Sequence, residues 1–106
     1  MRIAVVVALA FEGVHSWPEC PLPDVAFLRH PHRHEFRVTA RKLVSHEERE
    51  VEVIMLKRSM AAYCRDELAG PHSMSCETMA RMLAERFCLA SCQVLEDGEN
   101  GAEVWS

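Results

Sequence analysis

The amino-acid sequence predicts an α+β fold in which an antiparallel sheet carries two helices on one face. Three observations lead to this prediction: a near-continuous apolar run at the start, segments that alternate between apolar and polar residues, and two central segments with apolar residues every three or four positions. Taken in chain order, these segments give the predicted element order β-β-β-α-α-β-β.

The first strand is predicted over residues 3–11, where the apolar run is typical of a strand buried on both faces or lying inside an assembly. If the strand continues, His15 points to the same side as Phe11, because alternate residues of a strand share a face. Three prolines between residues 17 and 24 then predict an irregular loop, which contains Cys20.

The second strand is predicted from about residue 33 to residue 44 and carries two histidines on its apolar side. His32 and His34 have the same parity as Phe36. Neutral imidazoles are good zinc ligands, and two of them one pleat apart can reach the same ion. A site built from histidines is more often catalytic, with a position open to water or substrate. Two alternatives stay open: a core strand with two hydrogen-bonded histidines, or a ligand pair formed by His30 and His32.

The middle of the chain changes from strand patterns to helix patterns. A polar turn at residues 45–49 leads to residues 50–54, whose alternation predicts a third strand that forms an antiparallel hairpin with the second. Apolar residues recur with helical spacing over residues 56–68, and Gly70 and Pro71 end this first helix.

The second helix is predicted to begin at a serine cap, either Ser73 or Ser75, and its apolar stripe contains Met79 and Leu83. A strand over residues 92–95, a turn over residues 96–101 and a short final strand over residues 102–105 complete the chain.

Length and composition exclude several classes of protein. The 106 residues predict a single domain spanning 1–106. The formal net charge of -4 does not indicate binding to nucleic acid, so no nucleic-acid partner is expected. The apolar run at the start is too short to cross a membrane, so no membrane partner is expected. Five cysteines without a C-x-x-C pair indicate reduced thiols, which favours a cytoplasmic protein.

Three groups of residues stand out once the elements are placed: Phe11-Glu12-x-x-His15, His32-x-His34-x-Phe36, and Glu96 at the end of a late strand. With this element order they resemble the 6-pyruvoyltetrahydropterin synthase and 6-carboxytetrahydropterin synthase family of the tunnelling fold. The resemblance covers nearly the whole chain and includes the starts of both helices. Arg33 stands in place of the glycine of the family's His-Gly-His motif.

The resemblance implies a zinc enzyme. It implies that His15, His32 and His34 bind Zn²⁺, that Glu96 accepts hydrogen bonds from the pterin ring, and that Ser75 belongs to the substrate-binding start of the second helix. The implied substrate is 7,8-dihydroneopterin triphosphate or a close relative. The implied assembly is a homo-oligomer, a trimer or a hexamer, in which the strands of neighbouring subunits join into a barrel.

The chain departs from the family at the catalytic residues. Leu28 stands where the family has a catalytic cysteine, and residues 69–73 between the helices lack the family's Asp-His pair. Cys20 and His72 lie in the corresponding connections and are the candidate replacements. We expect any lyase activity to depend more on His72, because an imidazole is an effective base near neutral pH without special tuning.

Three functions are consistent with these patterns. The first is a zinc-dependent pterin lyase whose product feeds a biopterin-like or a 7-deazaguanine (queuosine-type) pathway. The alternative is a relative that binds a pterin or purine without turnover. The third, from another class, is a small assembly protein whose histidines are merely buried. Metal content separates the third function from the others, and product formation separates the first from the second.

Overall fold

The computed structural model describes residues 1–106 and has an α+β fold with a four-stranded antiparallel sheet. The strands are β1 (Ile3–His15), β2 (His32–Val44), β3 (Ser91–Glu96) and β4 (Asn100–Trp105), and they lie side by side in that order. Two α-helices, α1 (Val53–Tyr63) and α2 (Cys76–Phe87), connect β2 to β3, and a 3₁₀ helix (Pro23–Arg29) lies between β1 and β2. None of the helices is long and apolar enough to cross a membrane.

Strands β1 and β2 pair along their whole length, from Ile3 opposite Val44 to His15 opposite His32. Strand β1 therefore continues four residues past the predicted apolar run. Within a single chain only one of its faces is covered: Val7 is 4% exposed, whereas its neighbour Val6 is 52% exposed. The expected burial on both faces is thus not met by one chain alone.

The prediction of a third strand over residues 50–54 is wrong, because this segment leads into α1. The carboxylate of Glu52 caps the helix by accepting from the backbone N–H groups of Ile54 and Met55, both at 3.1 Å. Strand β2 lies between β1 and β3, so neither of its edges is free to pair with a hairpin partner. The five-residue alternation is too short to outweigh these two effects.

The two predicted helices are present, and only the first begins at a different residue from the predicted one. Helix α1 begins at Val53 and continues as a π-helical turn over Cys64–Leu68. Helix α2 begins after Ser75, whose hydroxyl accepts from the backbone N–H of Thr78 at 3.1 Å, so Ser75 rather than Ser73 is the cap.

One hydrophobic core joins the inner face of the sheet to both helices, as the sequence predicts. Helices contribute the fully buried Met60, Leu68, Met79 and Leu83, and the sheet contributes Phe36 and its neighbours. Such burial removes apolar area from water and supplies most of the favourable free energy of folding. Phe36 marks the end of this core, and the histidines lie just beyond it on the same face of β2.

Candidate metal centre

Strand register brings the three predicted histidines together at the end of the β1–β2 ladder. His15 lies directly opposite His32, and their ring centroids are 4.6 Å apart. His34 lies one pleat further along β2, with its ring centroid 5.4 Å from that of His15 and 5.0 Å from that of His32. The residue paired with His34 on β1 is Gly13. A Cβ at this position would lie 2.9 Å from the ring of Phe36, so any larger residue would collide with that ring.

A fourth group, the carboxylate of Glu96, reaches the same point from β3. Glu96 pairs with Phe36 and therefore lies on the histidine face of the sheet. Its Oε2 atom is 3.1 Å from Nε2 of His15 and 3.6 Å from Nε2 of His34. One ligand atom from each of the four residues lies within 4.8 Å of all the others, and these residues could hold a metal ion. His30 is not part of this cluster, so the cluster contains the pair His32 and His34.

Each histidine is oriented by a hydrogen bond from its other ring nitrogen. Nδ1 of His15 donates to the backbone oxygen of Met74 at 2.9 Å, and Nδ1 of His32 donates to that of His30 at 2.8 Å. Nδ1 of His34 donates to Oδ2 of Asp97 at 2.7 Å. Because carbonyl and carboxylate oxygens only accept, each Nδ1 must carry the proton, and each neutral ring has its lone pair on Nε2.

The three Nε2 atoms are buried and have no hydrogen-bond partner. Buried polar atoms are normally satisfied, so three unsatisfied nitrogens that converge on one point need an explanation. The 3.1 Å approach of His15 to Glu96 does not provide one, because a lone pair then faces a carboxylate oxygen and neither atom donates. A cation between them satisfies all four groups, and anchored Nδ1–H groups are the usual outer partners of metal-bound histidines. The donor set therefore fits a metal ion.

The electrostatic environment keeps His15 neutral, as metal binding requires. Burial lowers the pKa of His15 below its ordinary value, and the neighbouring His32 and His34 act in the same direction. The hydrogen bond to Met74 and the charge of Glu96 oppose this shift without cancelling it.

A cavity of about 520 Å³ opens beside the histidine cluster and is large enough for a small ring compound. The residues that line it include His15, His32, Leu28, Ser75, Cys76 and Glu96. Ser75, predicted to bind substrate, is thus placed at the cavity. Leu28, where the resemblance would place a cysteine, also lines the cavity, but its side chain has no acid–base group.

The two candidate catalytic residues are not brought to the cavity wall. Cys20 is 2% exposed, and its thiol lies near the backbone oxygens of Leu22 and Val25 at 3.9 and 3.8 Å. His72 uses both ring nitrogens, because Nε2 donates to the backbone oxygen of Leu68 at 2.8 Å and Nδ1 accepts from the N–H of Met74 at 3.0 Å. Neither side chain offers a free basic atom to the cavity, and their catalytic roles stay predictions.

Two residues of the site were missed by sequence reasoning. Asp97 holds His34, and its place in an Asp97-Gly98 turn after Glu96 was the only available signal. Cys76, at the start of α2, lines the cavity; burial raises its thiol pKa to about 12, and the charges of Glu96 and Glu77 add to the effect. Cys76 is therefore a protonated thiol near neutral pH and not a ready nucleophile.

Neither a protein-family model nor a curated protein matches this chain. The geometry of the cluster and the motif residues that form it are therefore the observations that bear on function.

Proposed function

We propose that this protein is a zinc-dependent pterin lyase similar to 6-carboxytetrahydropterin synthase and 6-pyruvoyltetrahydropterin synthase. Its substrate would be 7,8-dihydroneopterin triphosphate or a close relative. The observation that carries the proposal is the convergence of three buried, unpartnered imidazole nitrogens, those of His15, His32 and His34, beside a cavity that His15 and His32 line. The four-stranded antiparallel sheet with helices on one face is compatible with the tunnelling fold, in which subunits join their sheets into a barrel.

The preference for zinc follows from the donor atoms. Three neutral imidazoles and a nearby carboxylate form the kind of nitrogen and oxygen set that zinc binds in catalytic sites. His15, His32 and His34 would hold the ion, and the ion would supply Lewis-acid polarisation of a substrate oxygen. Magnesium and calcium prefer oxygen ligands and fit this set less well.

The other side chains of the cavity suit a ring with several N–H groups. The carboxylate of Glu96 can accept charge-assisted hydrogen bonds from the amino and ring N–H groups of a pterin. The side chains of Ser75 and Thr78 line the same cavity at the start of α2. These groups would orient the ring, while the cavity walls shield part of it from water.

A second function, binding without turnover, is favoured by one specific observation. Both ring nitrogens of His72 are engaged, Cys20 lies outside the cavity lining, and Leu28 cannot exchange a proton. None of these three residues thus presents a free base to the cavity for abstracting a carbon-bound proton. Under this alternative the protein retains zinc and binds a pterin or purine, but releases it unchanged.

The deciding experiment incubates the zinc-loaded protein with 7,8-dihydroneopterin triphosphate and identifies the products by mass. New products that require the protein and its zinc support the lyase. Binding of 7,8-dihydroneopterin without products supports the alternative. Metal analysis accompanies both assays: about one zinc per chain is expected, most of it lost in His34→Ala and retained in the control His46→Ala, which changes an exposed histidine outside the cluster. Absence of zinc from the wild-type protein contradicts both functions.

A further inference from the structure

We propose that Glu96 is the fourth protein ligand of the metal ion, so that the free protein holds its ion in a closed site. The inference rests on the metal-binding part of the proposed function. It differs from the role that the family resemblance implies for Glu96, which is contact with the pterin ring alone.

The distances within the cluster carry the inference. Ligands placed about 2.0–2.2 Å from zinc at the corners of a tetrahedron are separated from one another by roughly 3.3–3.6 Å. Oε2 of Glu96 lies 3.1 Å from Nε2 of His15 and 3.6 Å from Nε2 of His34. The carboxylate oxygen is therefore separated from two imidazole nitrogens by nearly the distance that a shared zinc ion requires.

The protonation pattern explains why such a close approach needs a cation. His15 and His34 each donate from Nδ1, which leaves a lone pair on Nε2. A carboxylate oxygen aimed at these lone pairs is repelled unless a positive charge lies between them. No hydrogen bond joins these nitrogens to Glu96, although Nε2 of His15 is close enough for one.

The two oxygens of Glu96 have different surroundings. Oε1 accepts a long hydrogen bond from the side-chain amide of Asn100 at 3.5 Å, whereas Oε2 faces the histidines. This difference favours a single metal–oxygen bond through Oε2. The Glu96 side chain is 22% exposed, which leaves it room to move towards the cavity. A substrate that uses the ion has to displace Oε2, and the released carboxylate is then free to accept hydrogen bonds from that substrate.

The test compares the zinc affinity of the full-length protein and of Glu96→Gln by competition with a chelator. The amide of glutamine is a much poorer ligand than a carboxylate, so zinc affinity should fall on the order of 100-fold. This is the upper end of the loss of affinity seen when a residue that hydrogen-bonds to a metal ligand is removed. Glu77→Gln is the matched control, since Glu77 lines the same cavity but lies outside the cluster, and its affinity should be unchanged. The visible spectrum of the cobalt-substituted protein should change in Glu96→Gln and not in Glu77→Gln.

Unchanged zinc affinity and an unchanged cobalt spectrum in Glu96→Gln overturn the inference. If this variant does not fold, Glu96→Asp replaces it: a carboxylate one methylene shorter should weaken zinc binding, and full affinity again counts against the inference. The failures of the two proposals are distinguishable. Zinc binding that depends on Glu96, without any binding of 7,8-dihydroneopterin, contradicts the proposed function alone. A pterin lyase whose zinc affinity does not depend on Glu96 contradicts the inference alone.

Discussion

His34 donates from Nδ1 to Oδ2 of Asp97 across 2.7 Å, and the other oxygen of the same carboxylate accepts the backbone N–H of Glu35 at 3.0 Å. The backbone N–H of Asp97 in turn donates to the oxygen of Glu35 at 2.8 Å. Asp97 is thus fixed to β2 at three points. It fixes both the ring orientation and the tautomer of His34, leaving the Nε2 lone pair directed at the cluster.

Replacing Asp97 with asparagine should weaken zinc binding about 10- to 100-fold, because the neutral amide orients His34 less firmly and makes its ring a weaker donor to the metal. Chelator competition measures the change. Asp66→Asn is a suitable control, since Asp66 is an exposed residue that pairs only with Arg65. Equal zinc affinity in Asp97→Asn and wild type would show that the Asp97 contact does not tune the site.

The stability of the metal-free protein should fall in mild acid. Burial lowers the pKa of His15 below 6.5, so the unfolded chain binds more protons than the folded one as the pH falls through 6.5. The free energy of unfolding therefore decreases from that pH down to the folded-state pKa, and below it His15 causes no further loss. Urea unfolding between about pH 5 and 8 measures this dependence.

A His15→Gln variant should have a flatter pH dependence in this window, because it lacks the titrating ring. His46→Ala, which removes an exposed histidine, should follow the wild-type curve. If the free energy of unfolding changes with pH equally in His15→Gln and wild type, the acid sensitivity belongs to other groups.

The cysteines should differ sharply in reactivity. Cys88 is exposed, whereas Cys20, Cys64, Cys76 and Cys92 are buried. Burial raises the pKa of Cys64, Cys76 and Cys92 to about 12, and only the thiolate is a good nucleophile. Iodoacetamide should therefore modify Cys88 alone in the native protein, and all five cysteines after unfolding. Mass spectrometry counts the modified residues, and rapid native labelling of Cys76 would contradict the buried, protonated thiol.

His72→Ala should lower the free energy of unfolding by about 1–3 kcal/mol, because the backbone oxygen of Leu68 and the N–H of Met74 lose their partner. Urea unfolding measures the loss, and His46→Ala again serves as the exposed control. A His72→Ala variant as stable as wild type that has lost only turnover would support the base role expected from the sequence.

The protein should form an oligomer. Strand β1 is 13 residues long, lies at the edge of the sheet, and has an exposed outer face that includes Val6, Ala8 and Ala10. Long apolar edge strands are normally covered or paired, and pairing between subunits into a barrel removes the edge. Light scattering at micromolar concentration should give the mass of a trimer or hexamer, and a monomeric mass would contradict the barrel.

The sequence by itself determined which side chains share a face of each strand. Alternation is a local property of the chain, so the parity of His32 and His34 with Phe36 was enough to place both imidazoles on the core side of β2. Ser75 as a helix cap was likewise among the candidates, because a cap bonds to N–H groups only a few residues away.

The tertiary structure decided what those side chains meet. Asp97 is 63 residues from His34 in the chain, and only the β2–β3 register brings the two together. The same register places Glu96 against the histidines, and the pairing of β2 with β1 and β3 leaves no free edge for a strand at residues 50–54. Local patterns cannot determine these outcomes, because register and strand order depend on contacts between distant segments that compete for the same hydrogen-bonding edges.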